Sequence, residues 1–263
     1  MKKYLKLYPH YIAMCIKTKL SYKVDAIIGI VAFLITNIIA FSTLYLTISS
    51  IPSLNGWTFE KMAFLYGFCL IPKSIDHVFT DAIWWLGGWS IRKGDLDKYL
   101  IKPLNPLFQL IADDFQYDGL GEFILGVFLL IVYGPMQNIT WTMGNIIPLI
   151  ICAIFSIFIF TSIKLIFASI AFWTKRSIEL MTTVYELSSF TKYPIDIFNR
   201  IVKVILVYII PFSLAMYYPI HYLYQEKSIW MLTLVVGIAT ILLSSFAYFL
   251  WHTGLKKYES AGS

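Results

Sequence analysis

In a chain of 263 residues that is 59% apolar and only 14% charged, charges set inside apolar runs are the residues able to do chemistry. Lys73, Asp76, His77 and Asp81 lie at i, i+3, i+4 and i+8 of one such run. That spacing gathers them on roughly one helix face. Pairing of Lys73 with Asp76, and of His77 with Asp81, is expected to lower the cost of burying them. The stripe suits a polar wall of a substrate path or a subunit interface. The alternative is a helix that ends near Phe79, with these groups at the membrane surface. Lys164 is the lone charge of another long apolar run. It reads as a side chain snorkelling to the interface, with contact to a substrate path as the alternative. Glu122, near the start of a third run, reads as interfacial.

Other chemistry is not spelled out. There is no Gly-x4-Gly-Lys-Ser/Thr phosphate loop, no His-Glu-x-x-His and no Gly-x-Ser-x-Gly. The histidines His10, His77, His221 and His252 are scattered. Cys15, Cys69 and Cys152 form neither a metal pattern nor a pairing framework. The chain therefore reads as a protein without catalytic residues, metal site or bound cofactor. It carries 21 Lys+Arg against 15 Asp+Glu, for a net charge of +6. No compact basic domain interleaved with aromatics is present to grip nucleic acid. The bases read instead as anchors flanking membrane spans.

The elements that must position these residues follow from the apolar runs. A bilayer core of about 30 Å needs about 20 apolar residues as helix. Runs at about 26–48, 59–86, 117–134, 146–173 and 230–251 qualify. Between Arg176 and Lys227 hydropathy alone favours 201–218, broken by Pro211 and followed by Pro219. Bases crowd before the first span, at 92–102, after 173 and after 251. The segments 49–57 and 134–144 carry none. This alternation places both termini in the cytoplasm and requires an even number of spans, most simply six. Residues 1–24 alternate lysines with Leu5, Tyr8, Ile12 and Leu20 at helical spacing, which predicts an interfacial helix. Residues 25–263 then form a single transmembrane domain. Trp84, Trp85, Trp89, Trp173 and Trp230 fit interfacial belts. Asn138-Ile139-Thr140 matches a glycosylation acceptor pattern in an outside loop.

The segment Ile91-Arg92-Lys93-Gly94-Asp95-Leu96-Asp97-Lys98-Tyr99-Leu100-Ile101-Lys102-Pro103-Leu104 carries a resemblance. It resembles the first cytoplasmic loop of bacterial ABC-2 type transporter permeases, which reads roughly G-x-L-D-x-Y-L-x-K-P-L. The ending Trp251-x-x-Gly254-Leu255-x-x-Tyr258-Glu259-Ser260-Ala261-Gly262 looks like the ending of that family. Tyr193-Pro194-Ile195, Ile210-Pro211-Phe212 and Tyr218-Pro219 look like a third landmark. The resemblance implies an all-α polytopic fold of six transmembrane helices. It adds an N-terminal interfacial helix, a coupling helix in the first cytoplasmic loop and a re-entrant hairpin before the last span. The fifth span would then be short, at 178–190. Residues 195–222 would dip into the outer leaflet, broken at Pro194, Pro211 and Pro219.

The physics of the loop fits a coupling element. Gly94 can end a helix. Asp95 can cap a short one starting at Leu96, and Pro103 stops it near Lys102. Leu96, Tyr99 and Leu100 would share one side, with Asp97, Lys98 and Ile101 elsewhere. Arg92, Gly94, Asp95, Leu96, Asp97, Tyr99, Leu100, Lys102 and Pro103 are the residues assigned to contact with a partner by helix-in-groove docking. The resemblance implies that this partner is an ATP-binding subunit, two per complex, which carries ATP and Mg. It implies a second, related but different permease chain, a lipid surround in a bacterial cell membrane, and no nucleic acid. The implied activity is export of a hydrophobic or amphiphilic drug, lipid or peptide. An ion-gradient transporter would show an inverted repeat, and none is visible. A membrane scaffold for another protein is the third reading.

Overall fold

The computed structural model describes residues 2–49, 53–137 and 139–260. Asn138 of the acceptor pattern, and Ala261 and Gly262 of the C-terminal motif, lie outside the described residues. Helices joined by turns and loops make up the described residues, which contain no strand and one isolated bridge between Leu54 and Trp57. The longer helices are α1 (Lys2–Leu20), α2 (Lys23–Ser49), α3 (Phe59–Thr80), α4 (Pro106–Ala112), α5 (Gly119–Tyr133), α6 (Met143–Ser169), α7 (Ile178–Glu186), α8 (Phe212–Tyr224) and α9 (Ile229–Leu255).

Three stretches are long and apolar enough to cross a membrane: Lys23–Ser49, Met143–Thr174 and Ile229–Leu255. A fourth arises if the bent pair Arg200–Ile209 and Phe212–Tyr224 is one span. The remaining expected spans fail on composition or length. Helix α3 contains Glu60, Lys61, Lys73 and Asp76, and α5 has only 15 residues.

The expected second span ends earlier as a regular helix than 86. After Thr80 the chain continues through a short helix, Ala82–Trp85, then a π-helical turn, Leu86–Ser90, and a last turn, Ile91–Lys93. The π turn holds Gly87 and Gly88, and Gly87 sits close to Ser177 and Met181. Helix α7 continues as a 3-10 helix, Leu187–Lys192, and the chain turns through Tyr193 and Pro194 into Ile195–Ile197.

The next two arms, Arg200–Ile209 and α8, meet at 101° across Ile210 and Pro211. Pro211 breaks the helix there, but Pro219 does not. It lies inside α8, buried. A proline at 219 leaves the carbonyl of Ala215 without its helical donor. The Ser156 hydroxyl of α6 supplies one, 3.0 Å away.

Helices α3 and α5 pack along each other, as do α6 and α9. Together with α8 they enclose the larger apolar cluster, which includes Phe64, Leu65, Leu129, Phe160, Phe212 and Val236. Helix α2 is peripheral: 11% of its apolar window is buried, against 44% for α6. It meets α5 where Gly121 approaches the backbone of Ile30 and Leu34 too closely for any Cβ. Small residues at such crossings let membrane helices pack by van der Waals contact.

A second apolar cluster lies at the other end of the molecule. It joins Leu86, Ile91, Leu96 and Tyr99 to Leu110, Phe172 and Trp251. This cluster ties the 94–104 loop to α4, α6 and α9. Helix α4 was not expected from the sequence. It starts at Pro106 with Asn105 as its cap, whose side chain accepts from the Leu107 and Phe108 amides. Proline at the first helical position and Asn before it are a strong start signal.

Candidate functional site

Two groups of polar residues stand out, one inside the bundle and one on the loop. Inside, the Lys164 side chain is fully buried and its ammonium meets two carboxylates, Asp76 at 2.9 Å and Asp81 at 2.7 Å. Thr80 adds a hydroxyl 3.2 Å from Lys164 Nζ. The Asp76 carboxylate also accepts from Thr80 at 2.6 Å, Thr161 at 2.8 Å and the Tyr185 hydroxyl at 2.9 Å.

This arrangement overturns two expectations. Lys164 does not snorkel. The helical chain around it ends only at Thr174, ten residues further on, which is about 15 Å along the axis. Asp76 is satisfied by Thr80, Thr161, Lys164 and Tyr185 rather than by Lys73. Glu122, in the first turn of α5, is buried within the protein, with 3% of its surface exposed.

Lys73 turns across to α5 and pairs with Glu122 at 3.5 Å. Asn37 of α2 donates to the same carboxylate at 3.1 Å. His77 lies between the two halves, 3.4 Å from Asp81 and 3.9 Å from Glu122. The His77–Asp81 proximity matches the i, i+4 expectation. Beyond Asn37, Tyr66 donates to its carbonyl at 3.4 Å, and Lys192 stands over the Tyr66 ring.

One connected network thus links α2, α3, α5, α6 and α7. Asp76, Asp81 and Glu122 supply three negative charges, and Lys73 and Lys164 two positive ones. Buried charges persist only when paired and hydrogen-bonded, and here each faces a partner. Among the described residues no cluster of His, Cys, Asp or Glu could hold a metal ion. The chemistry available is electrostatic locking of helices. Sequence reading missed Asn37, Thr80, Thr161 and Tyr185. The usable signal was Thr161, one turn before Lys164 on the same helix face.

On the loop, Gly94 has φ +77°, the left-handed conformation that glycine adopts freely. Its amide bonds Ile91 and the next amide bonds Ser90, which closes the preceding helix as a Schellman motif. The expected two-turn helix is one turn, Asp97–Leu100. Asp95 does not cap it: the cap position is Leu96, with no side-chain bond. The Asp95 amide is already held by Ser90, which fixes residue 95 one place too early.

Leu96 and Tyr99 are buried, whereas Leu100 is 42% and Ile101 83% exposed. Leu100 is the last residue of the turn, and its side chain stays exposed beside Ile101. The Tyr99 hydroxyl donates to Asp113 at 2.6 Å and Lys98 to the same carboxylate at 2.9 Å. Burial pushes the Asp113 carboxyl up, but these two donors outweigh it and hold it below the ordinary range. Gln109 of α4 donates to the carbonyls of Tyr99 and Leu104. Ser260 near the C-terminus donates to Asp97 at 2.5 Å.

Helix α1 braces the same region. Tyr4, Tyr8 and Tyr11 surround Phe108 of α4, and Lys19 pairs with Asp114 at 2.7 Å. Arg92, Lys102 and Pro103 are exposed beside the tip. The loop is a braced bracket that leaves Leu100 and Ile101 exposed.

The family model for ABC-2 family transporter proteins matches residues 31–262. The chain belongs to this ABC-2 family. It is thus a multi-pass membrane protein of transport, a family whose permeases work with an ATP-binding-cassette ATPase. The match takes in both the buried network and the loop, but it stops short of α1. No curated protein and no solved structure matches the chain.

Proposed function

We propose that this chain is the permease subunit of an ATP-binding-cassette exporter in a bacterial cell membrane. It moves a hydrophobic or amphiphilic drug, lipid or peptide out of the cytoplasm. Two ATP-binding subunits, which carry ATP and Mg, drive it, and a second, related permease completes the pore. This chain supplies no catalytic residue. The observation that carries the reading is the family match joined to an exposed apolar tip on a braced loop.

In this reading six spans cross the bilayer with both termini in the cytoplasm. Helix α3, at 22 residues, is about 33 Å long and reaches across. Its charges lie inside because the network pairs them. The arms that bend by 101° at Pro211 form a re-entrant hairpin in the outer leaflet. There the proline break is covered by protein.

The ATPase docks on Leu100, Ile101, Lys102 and Pro103, with Arg92 and Asp95 alongside. Leu96, Asp97 and Tyr99 anchor the turn, and Gly94 sets its angle. A push on the tip travels through the second apolar cluster to α6 and α9. It also travels through Lys164 to α3. The charges Lys73, Asp76, His77, Asp81 and Lys164 act as a lock between helices that move together, rather than as groups that touch cargo.

The test is Leu100→Asp with Ile101→Asp. Both side chains are exposed, so thermal stability should stay within about 0.5 kcal/mol. Recovery of the ATPase subunit with the permease should fall at least tenfold. Unchanged recovery removes the docking role.

A further inference from the structure

Helices α3 and α6 part on one side of the bundle and leave a cleft of about 680 Å³. Its walls are almost wholly apolar. Phe64, Phe68 and Ile75 line one side, and Ile146, Leu149 and Ile157 the other, with α5 at the back. Phe64 to Ile75 and Ile146 to Ile157 each span eleven helical steps, about 16 Å. That is the depth of one leaflet of a bilayer core of about 30 Å.

The cleft has a different roof. A polar cavity of about 690 Å³ is lined by the residues next along the same helices, Glu60 and Lys61 one turn before Phe64 and Asn145 beside Ile146. Glu226 and Lys227 close its far side, and the buried Tyr224 hydroxyl that lines it has no hydrogen-bond partner. Trp141 lines the cleft near the junction, a position that suits an aromatic ring at a membrane interface. The deep end stops beside the buried network, since Ile75 precedes Asp76.

We infer that the cleft and its roof form one binding site for a phospholipid with a zwitterionic phosphate–amine headgroup. The acyl chain lies between α3 and α6 over the length of one leaflet. The headgroup enters the polar cavity. Lys61 and Lys227 meet its phosphate, and Glu60 and Glu226 its amine. Paired charges of both signs in one cavity favour a zwitterion over a purely anionic head, whose phosphate would face the two carboxylates. The inference goes beyond the transport reading. The six-span orientation of that reading puts this leaflet on the outer side, but the binding itself depends on neither the ATPase nor the direction of transport.

The experiment uses the purified full chain in detergent, with native mass spectrometry and two probes, dioleoyl phosphatidylethanolamine and dioleoyl phosphatidylglycerol. One phosphatidylethanolamine should stay bound at least tenfold more tightly than phosphatidylglycerol. Glu60→Gln with Glu226→Gln should abolish that preference, since these carboxylates meet the amine and repel a purely anionic head. A phosphatidylethanolamine carrying a photoreactive group along its acyl chain should label the 146–157 segment. Equal retention of both lipids, or a double variant that behaves like the parent, overturns the headgroup assignment. Labelling confined to α2 and α9 overturns the site, and so does a crosslink from 146–157 to a second copy of the chain. Ala153→Phe, which fills the cleft from α6, should lower labelling at least fivefold with circular dichroism unchanged. Full labelling in that variant also overturns the site.

Discussion

The buried network and the bracket at residues 94–113 are built from the same residue types, yet they differ in what water can reach. Lys164 and Asp76 have fully buried side chains, while Lys98 and Asp113 keep 54% and 39% of theirs exposed. Both pairs sit at 2.9 Å. Distance alone therefore says little about the strength of a pair. A buried charge left alone cannot be rescued by solvent, whereas an exposed one is rehydrated at once. The network should hold helices in register, and the bracket should hold a shape while its tip stays free.

Lys164→Met gives the largest expected effect. It strands Asp76 and Asp81 and should cost about 3–5 kcal/mol, read from thermal unfolding in detergent. Adding Asp76→Asn and Asp81→Asn should restore most of that loss, because no unpaired charge then remains. If the triple variant is no better than the single one, the network is not held by charge. Glu122→Gln comes next. It weakens charge-assisted bonds to Lys73 and Asn37, at roughly 1.5–3 kcal/mol. The effect is smaller because the Lys73 side chain is 24% exposed and can reach water.

On the bracket the effects shrink. Tyr99→Phe removes the hydroxyl that meets Asp113 and should cost about 1 kcal/mol. The Asp113 carboxyl lies below its ordinary range, so the stability it adds is present at neutral pH. That part is lost as pH falls through its depressed folded value. Tyr99→Phe should flatten this acid limb. Lys98→Ala should cost less than about 1 kcal/mol and less still in high salt. A cost comparable to that of Lys164→Met would break the comparison between the two regions.

The two regions were also unequally legible. The spacing of Lys73, Asp76, His77 and Asp81 implied one helix face, and Asp81 proves to be the residue that follows α3. The spacing could not say which helix that face would meet. The i, i+3 rule offered only the local partner, Lys73 for Asp76, and the packed bundle supplied Lys164 from 88 positions further along the chain. The bracket shows the converse. Gly94 marked the end of a helix as read. The spacing of Leu96, Tyr99 and Leu100 implied one docking face, but a turn of only four residues splits it. Asn105-Pro106 is a helix start legible in the sequence, with an Asn cap before a proline at the first helical position.

Composition by itself determined that the chain lives in a membrane, since so many apolar residues and so few charges cannot be folded around a water-exposed surface of this size. Local sequence determined where helices stop, because glycine and proline act on the backbone directly. The tertiary structure decided which charges are shielded, which of the loop's apolar side chains face out, and that Pro219 sits inside a helix. Each of these depends on what a second helix brings within 3 Å. A sequence fixes the face of a helix, but only packing chooses its neighbour.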